Sequence, residues 1–210
     1  MQVEQEILQA PVTATILIIT IAVSIAAFYN KKLKALFVLH PYSVNRGKRW
    51  HTLVTSSLVH SNWLHLLFNA FAVFIFSVKL EKDFVALSEW GHMQLLMLYF
   101  LSIFVSSGGT VVRYREDFWF NSLGASGGVL ALICGFASLH PLDSMLIVPI
   151  IGSLPNIYYV IFILVGCVYA TKKRPMEKID HYGHLCGAIA GTILIFIFYP
   201  EVIDSIVRSL

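Results

Sequence analysis

Charged residues are scarce in this sequence. Only 13% of its 210 residues are Asp, Glu, Lys or Arg, against about 25% in an ordinary soluble domain. Uncharged runs near the ~18 to 20 residues that cross a bilayer recur along the chain. These features exclude a sizeable soluble domain and predict an all-α, polytopic membrane protein with its charges in the connections. We expect one membrane domain over residues 1–210, with an interfacial loop at 30–52 and spans at about 12–29, 53–78, 93–112, 124–140, 155–170 and 182–199.

Cysteine pairs, metal-ligand spacings and strong charge are also missing. The three cysteines, Cys134, Cys167 and Cys186, lie inside apolar segments and are interpreted as packing residues. We predict no metal and no cofactor. A net charge of +3, spread along the chain, gives no indication of a nucleic-acid partner. No Lys or Arg precedes the first apolar segment, so we expect this segment to be a retained span and not a cleaved signal peptide.

The fourth segment is too short to cross a bilayer. From Ser126 to His140 it has 15 residues, about 22 Å of helix at ~1.5 Å per residue, against a hydrocarbon core of about 30 Å. The sequence therefore predicts a fourth helix that starts inside the membrane. Its first backbone N–H groups need an anion, a polar ligand or water, which makes this helix start a candidate site for an oxyanion.

Few ionisable or amide side chains fall within or beside the predicted spans. His65 and Asn69 are one helical turn apart, so both can point at one reacting group, whereas His60 is rotated by about 140° at ~100° per residue. We expect His60 to pack against a loop or to cap a neighbouring group.

The last span begins with a histidine and a stripe of small residues. His184 shares a helix face with Gly187 and Gly191, and such a stripe allows another helix to approach closely. The fourth segment, with Gly124 and Gly127 around Ser126, is the expected partner. Close contact would bring the imidazole to the hydroxyl, as a general base requires.

Each feature alone has a simpler explanation. A serine at a helix start is usually an N-cap, a small-residue stripe usually serves packing, and His60, His65 and His184 could line the proton or metal path of a small transporter. Together, however, Ser126, His184 and the His65/Asn69 pair supply a nucleophile, a base and oxyanion donors, which are the parts needed for acyl transfer.

Three motifs in this order resemble those of rhomboid intramembrane serine proteases: "HSNWLHLLFN", "GASGG" and "GHLCGAIAG". The resemblance covers residues 50–200. It implies a six-helix rhomboid bundle and hydrolysis of peptide bonds in or near transmembrane segments of membrane proteins. It also implies a Ser126/His184 dyad, an oxyanion site formed by the Ser126 N–H, His65 and Asn69, and a supporting role for His60. The alternative is a catalytically inactive relative that binds transmembrane helices.

The sequence departs from the family pattern at two positions. Thr52 stands where family members often have an arginine, and Leu130 stands where an aromatic residue often stacks on the histidine. Asp180, four residues before His184, could orient the imidazole or be an interfacial charge, and is not counted as catalytic.

The resemblance further implies a bacterial inner membrane, a cytoplasmic N-terminus and a site that opens to the extracytoplasmic side. In that orientation Lys79, Lys82 and Arg208 are cytoplasmic, and the other 12 of the 15 basic residues lie on the opposite side. The positive-inside rule favours the reverse orientation.

Overall fold

The computed structural model describes residues 9–145, 154–173 and 179–209, and this part of the chain is almost entirely helical. The helices are α1 (Pro11–Tyr29), α2 (Lys31–Phe37), α3 (Pro41–Val44), α4 (Thr52–Thr55), α5 (Trp63–Leu87), α6 (Gly91–Tyr114), α7 (Ser126–Leu139), α8 (Asn156–Lys173), α9 (His181–Phe198) and α10 (Glu201–Ser209). A short antiparallel pair, β1 (Ser144–Met145) and β2 (Leu154–Pro155), precedes α8.

Four of the described helices, α1, α5, α6 and α9, are long and apolar enough to cross a membrane. Helices α7 and α8 are also apolar. The predicted all-α class is therefore confirmed for the described residues. All three cysteines are free thiols on α7, α8 and α9.

The second long helix lies about ten residues later than the predicted span at 53–78. Helix α4 and a 3-10 turn at Ser56–Leu58 come first, followed by extended backbone at Val59. Helix α5 then begins after Asn62, whose side chain accepts a hydrogen bond from the His65 N–H over 2.8 Å. The apolar run marks residues that avoid water, but the N-cap decides where this helix starts.

Because α5 extends to Leu87, four charged residues lie inside it: Lys79, Glu81, Lys82 and Asp83. The expectation that every charge falls in a connection is therefore wrong. Glu81 is fully buried. Its carboxylate accepts hydrogen bonds from the N–H groups of Val12 and Thr13 at the start of α1, from the Thr13 hydroxyl, and from Nδ1 of His92 on α6. A buried charge is tolerated here because donors surround it.

The loop predicted at 30–52 contains α2 and α3 and is anchored by Arg49. The Arg49 guanidinium donates to the carbonyls of Ala35, Leu36 and Val38. The Thr52 hydroxyl donates to the Arg49 carbonyl over 2.6 Å. An arginine three residues before Thr52 thus anchors the loop in this chain.

The start of α8 differs slightly from prediction. Pro155 pairs with Ser144 in the strand pair, and α8 begins at Asn156. Asn156 is buried and bonds to the turn after α7 through its side chain and its backbone N–H. Pro149 and Gly152, which the sequence interprets as an interruption of this segment, lie outside the described residues.

Helix α7 occupies the centre of the fold. It packs against α5, α6, α8 and α9, and most of its residues are buried. Leu132 of α7 belongs to a core cluster with Leu98 and Tyr99 of α6 and Ile195 of α9. The helix that begins with Ser126 is therefore held in place by four neighbouring helices.

Candidate active site

Ser126 and His184 contact each other through their reactive atoms. Ser126 is the first residue of α7, His184 lies in the first turn of α9, and the Ser126 Oγ is 2.6 Å from the His184 Nε2. Both residues are half-buried. This distance is within the range in which an imidazole can accept a proton from a hydroxyl.

Ser126 does not cap its own helix. The N-cap position is Ala125, and no side-chain hydrogen bond caps this helix start. The simpler interpretation of Ser126 as an N-cap therefore does not apply to this structure, because the hydroxyl is hydrogen-bonded to the imidazole.

Glycines allow α7 and α9 to approach closely enough for this contact. A Cβ atom on Gly187 would overlap the backbone of Gly127, and one on Gly191 would overlap the backbone of Ala131. The stripe on α9 thus faces α7, as the sequence predicts. Any larger residue at Gly187 would push apart the two helix starts that carry Ser126 and His184.

His65 lies beside the segment that leads to Ser126. Its Nδ1 is 3.0 Å from the Ser61 hydroxyl. A Cβ on Gly124 would overlap its ring atoms Cε1 and Nε2, and Gly124 has a φ of 115°. Glycine is therefore required at residue 124 both by the close approach of the ring and by the backbone conformation.

Asn69 is directed toward its own helix. Its Nδ2 donates to the His65 carbonyl over 2.7 Å, one turn earlier on α5. Its Oδ1 is buried and has no hydrogen-bond partner in the described part of the chain. No hydrogen bond between Asn69 and Ser126 is present there either. The one-turn spacing from His65 to Asn69 brings the amide to a backbone carbonyl of the same helix.

His60 also supports the start of α7. It is fully buried in the loop before α5, not on a helix face as its spacing from His65 suggested. Its Nε2 accepts from the Ala125 N–H over 3.3 Å, and its Nδ1 is 2.8 Å from the Ser24 hydroxyl on α1. That hydroxyl donates to the Leu58 carbonyl over 2.7 Å, so the imidazole carries its proton on Nδ1.

Of two polar residues near the site, sequence reasoning missed Ser24 and set Asp180 aside. Ser24 is an uncharged residue in an apolar run, and nothing near it in the sequence indicates a partner. Asp180 is the N-cap of α9, since its side chain accepts from the Gly183 N–H over 2.8 Å. In the part of the chain that the structure describes, no hydrogen bond joins the Asp180 carboxylate to the His184 ring.

At Leu130, where an aromatic residue would stack on the histidine, the side chain is aliphatic. The His181 ring instead lies 6.2 Å from the His184 ring, edge to face. Over residues 9–145, 154–173 and 179–209, no cluster of three or more His, Cys, Asp or Glu side chains is arranged to hold a metal ion. The chemistry available at this site is that of a hydroxyl, an imidazole and helix-start N–H groups.

Comparison with known proteins points to one family. A family model described as Rhomboid domain matches residues 47–201. The chain is 29% identical over 153 residues to Rhomboid-like protease 3 of Toxoplasma gondii, covering 72% of this chain and 53% of that protein. It is 26% identical over 183 residues to Rhomboid-like protein 11, chloroplastic, of Arabidopsis thaliana, covering 81% and 58%.

A bacterial relative is also similar to this chain. The chain is 24% identical over 180 residues to Rhomboid protease AarA of Providencia stuartii, covering 76% of this chain and 59% of that protein. The chain thus spans little more than half the length of these relatives. Residues 47–201 include every candidate site residue named above except Ser24.

Proposed function

Because the chain belongs to the rhomboid family, we propose that it is an intramembrane serine protease that hydrolyses peptide bonds in or near the transmembrane segments of membrane proteins. Ser126 is the nucleophile and His184 the base. The observation that carries this proposal is the 2.6 Å distance between the Ser126 Oγ and the His184 Nε2. Two relatives that carry the word protease in their names add support.

In this mechanism the Ser126 hydroxyl gives its proton to the His184 Nε2 as Oγ attacks the scissile carbonyl carbon. The imidazolium then protonates the leaving amine, and the C–N bond breaks to leave an acyl-enzyme on Ser126. A water molecule, deprotonated by the same imidazole, hydrolyses the ester and releases the carboxylate product. Neither residue is fully buried, which suits a reaction that needs water.

The tetrahedral intermediate carries a negative oxygen that needs donors. We assign these to the Ser126 N–H at the start of α7 and to the side chains of His65 and Asn69. His65 already lies beside Gly124. Asn69 would have to exchange its bond to the His65 carbonyl for a bond to the substrate oxygen. Gly124, Gly127, Gly187, Gly191 and His60 support this site by allowing or holding the close packing around Ser126.

The proposal includes a six-helix membrane bundle in which α7 starts inside the membrane. Helix α7 has 14 residues, which is about 21 Å at ~1.5 Å per residue and shorter than a bilayer core of about 30 Å. A substrate helix must unwind locally before Ser126 can reach a carbonyl, since the carbonyls of a helix are already hydrogen-bonded. Substrates with Gly or Pro near the cut are therefore preferred, and small residues are expected at the cut itself.

The proposed location is a bacterial inner membrane, with the site open to the extracytoplasmic side. The relative from Providencia stuartii shows that a bacterium has a similar protein. The basic residues of the first loop and of the connection after α6 lie on the same side as Ser126, which favours the reverse orientation. Cys134, Cys167 and Cys186 are first replaced, and labelling of a single cysteine introduced at Lys48 or at Lys82 in intact cells then decides between the two orientations.

The proposal is tested by labelling purified, folded protein with a fluorophosphonate probe. The wild-type protein should be labelled, and Ser126→Ala and His184→Ala should each lose the label. Ser138→Ala is the matched control, because Ser138 is a buried serine on the same helix. Folded wild-type protein that takes no label and cleaves no membrane-protein substrate would instead be a non-catalytic relative.

A further inference from the structure

Gly183, the residue directly before His184, is hydrogen-bonded at both its backbone N–H and its backbone carbonyl. The Gly183 N–H donates to the Asp180 Oδ1 over 2.8 Å, and the Gly183 carbonyl accepts from the Ser106 hydroxyl over 2.8 Å. Gly183 is buried, and a Cβ there would overlap the Asp180 Oδ2 and the Thr110 Oγ1. The backbone that carries the imidazole is therefore fixed relative to α6.

Asp180 also connects to the segment that leads to the nucleophile. Its Oδ2 accepts from the Ser122 hydroxyl over 2.9 Å and from the Thr110 hydroxyl on α6. Ser122 lies four residues before Ser126, and its backbone exchanges two hydrogen bonds of 3.0 Å with Leu39 of the first loop. One carboxylate thus joins α6, the start of α9 and the chain entering α7.

Ser106 lies between the two reacting segments. Its hydroxyl bonds to Gly183, the residue before His184. A Cβ on Gly127, the residue after Ser126, would overlap the Ser106 side chain. Ser106 therefore touches both backbone segments whose separation sets the distance from hydroxyl to imidazole.

We propose that Asp180, supported by Ser106, is a positioning residue that clamps Gly183 and thereby holds the His184 imidazole at proton-transfer distance from Ser126. The inference rests on the proposed function, because such positioning matters only if the two side chains react. A displacement of about 1 Å between reacting groups can lower a rate by about 10²-fold. The clamp acts through the backbone, since the hydrogen bonds of the carboxylate go to groups other than the imidazole.

The test compares Asp180→Ala with Asp180→Asn in purified full-length protein. The measurement is the fluorophosphonate labelling of Ser126, separated into the saturating rate constant and the probe concentration for half-saturation. Asp180→Ala should lower the saturating rate constant by about 10- to 100-fold and leave the half-saturating concentration within about twofold. Asp180→Asn should restore most of the rate, because its oxygen can accept from Gly183 and its NH₂ can donate to the Thr110 and Ser122 hydroxyls.

Asp117→Ala is the matched control, because Asp117 is an exposed aspartate after α6 that accepts from the backbone N–H groups of Trp119 and Phe120. Its labelling rate should equal that of the wild type. A melting temperature for each variant shows that it is folded. If Asp180→Ala does not fold, Ser106→Ala replaces it, with an expected loss of severalfold.

Two results would overturn the clamp. Labelling of folded Asp180→Ala, or of Ser106→Ala in its place, at the wild-type rate would show that the contacts to Gly183 do not matter. Labelling of Asp180→Asn as slow as that of Asp180→Ala would assign the effect to the charge and not to the hydrogen bonds. Folded wild-type protein that takes no label overturns the proposed function itself and is distinguished from both results.

Discussion

The two ends of helix α5 both lie in polar networks, but the networks differ in what they leave free. Near the end of α5, the Glu81 carboxylate accepts from two backbone N–H groups, a hydroxyl and an imidazole, and it is fully buried. Near its start, the Ser126 hydroxyl and the His184 imidazole are bonded to each other, and neither residue is fully buried. Near the end of α5 the polar groups around Glu81 therefore join helices to each other. Near its start, the Ser126 and His184 side chains are bonded to each other and can meet a reactant.

The difference lies in how many partners each group has. A buried carboxylate with four donors is stabilised where it is, and displacing it would leave several groups unpaired. The Ser126 hydroxyl has one partner and lies beside glycines and helix-start N–H groups. It can therefore attack a substrate without leaving several buried groups unpaired. The comparison predicts that substitutions at the Glu81 end change stability and that substitutions at the Ser126 end change chemistry.

The largest effect is expected for His184→Ala. It removes the only base bonded to the Ser126 hydroxyl in the described residues, so the rate of substrate cleavage should fall by at least about 10³-fold. The melting temperature should change less than the rate, because His184 is not fully buried and the substitution adds no atoms that could clash. Cleavage of a fluorogenic transmembrane peptide and thermal unfolding in the same detergent provide the two measurements. A variant with normal turnover would remove His184 from the mechanism.

Glu81→Ala is expected to lower stability and to leave turnover per folded molecule nearly unchanged. The substitution leaves the N–H groups of Val12 and Thr13 and the His92 imidazole without their acceptor. Losing one partner of such a buried charged network costs about 3 to 5 kcal/mol. Denaturation in mixed micelles measures this loss.

Turnover per folded Glu81→Ala molecule should stay near the wild-type value, because Glu81 is 16 residues along α5 from His65, about 24 Å at ~1.5 Å per residue. Glu81→Gln is the control, since it keeps an oxygen acceptor and should lose less stability. Equal stability of Glu81→Ala and wild type would contradict the comparison.

Gly187→Ala should affect both properties, because it acts at the contact between the two helices of the site. The added Cβ would overlap the Gly127 backbone, and overpacking of this kind costs about 1 to 3 kcal/mol. The separation of Ser126 from His184 should increase, and turnover should fall with stability. Gly166→Ala is the matched control, since its Cβ would meet open space on α8, and it should be neutral in both measurements.

The smallest effect concerns His140, which follows the last residue of α7. A hydrogen bond from its Nε2 to Asp83 raises the pKa of His140 above 6.5, and the charges of Asp83 and Asp143 act in the same direction, against burial. Because the folded-state pKa is raised, the bond between His140 and Asp83 stabilises the fold fully below about pH 6.5. This contribution is lost as the pH rises through the folded-state pKa.

The wild-type protein should therefore lose up to about 1 kcal/mol of stability between pH 6 and pH 8, relative to His140→Gln. Thermal unfolding of the two proteins across this range measures the difference. If the stabilities of the wild type and of His140→Gln change in parallel with pH, His140 contributes no charged bond to Asp83.

Several features could be predicted from the sequence because they depend on local chemistry. Apolar runs indicated the helices, and the spacing of Gly187 and Gly191 behind His184 indicated a surface for close packing. The motifs around His60, Ser126 and His184 indicated the rhomboid family, which the family comparison confirms. The predicted start of the second long helix was wrong, because an apolar run does not distinguish a helix from the turns that precede its N-cap.

Tertiary structure decided which polar groups meet. Three hydrogen bonds join residues that are 36 to 70 positions apart in the chain: Ser24 with His60, and Asp180 with Ser122 and with Thr110. No local pattern specifies such pairs, because a hydrogen bond depends on the distance and angle between two atoms that only the packed helices set. The sequence alone determined which side chains are apolar and avoid water and which are polar and need a partner inside the membrane domain. The packing of the helices determined which partner each polar group has.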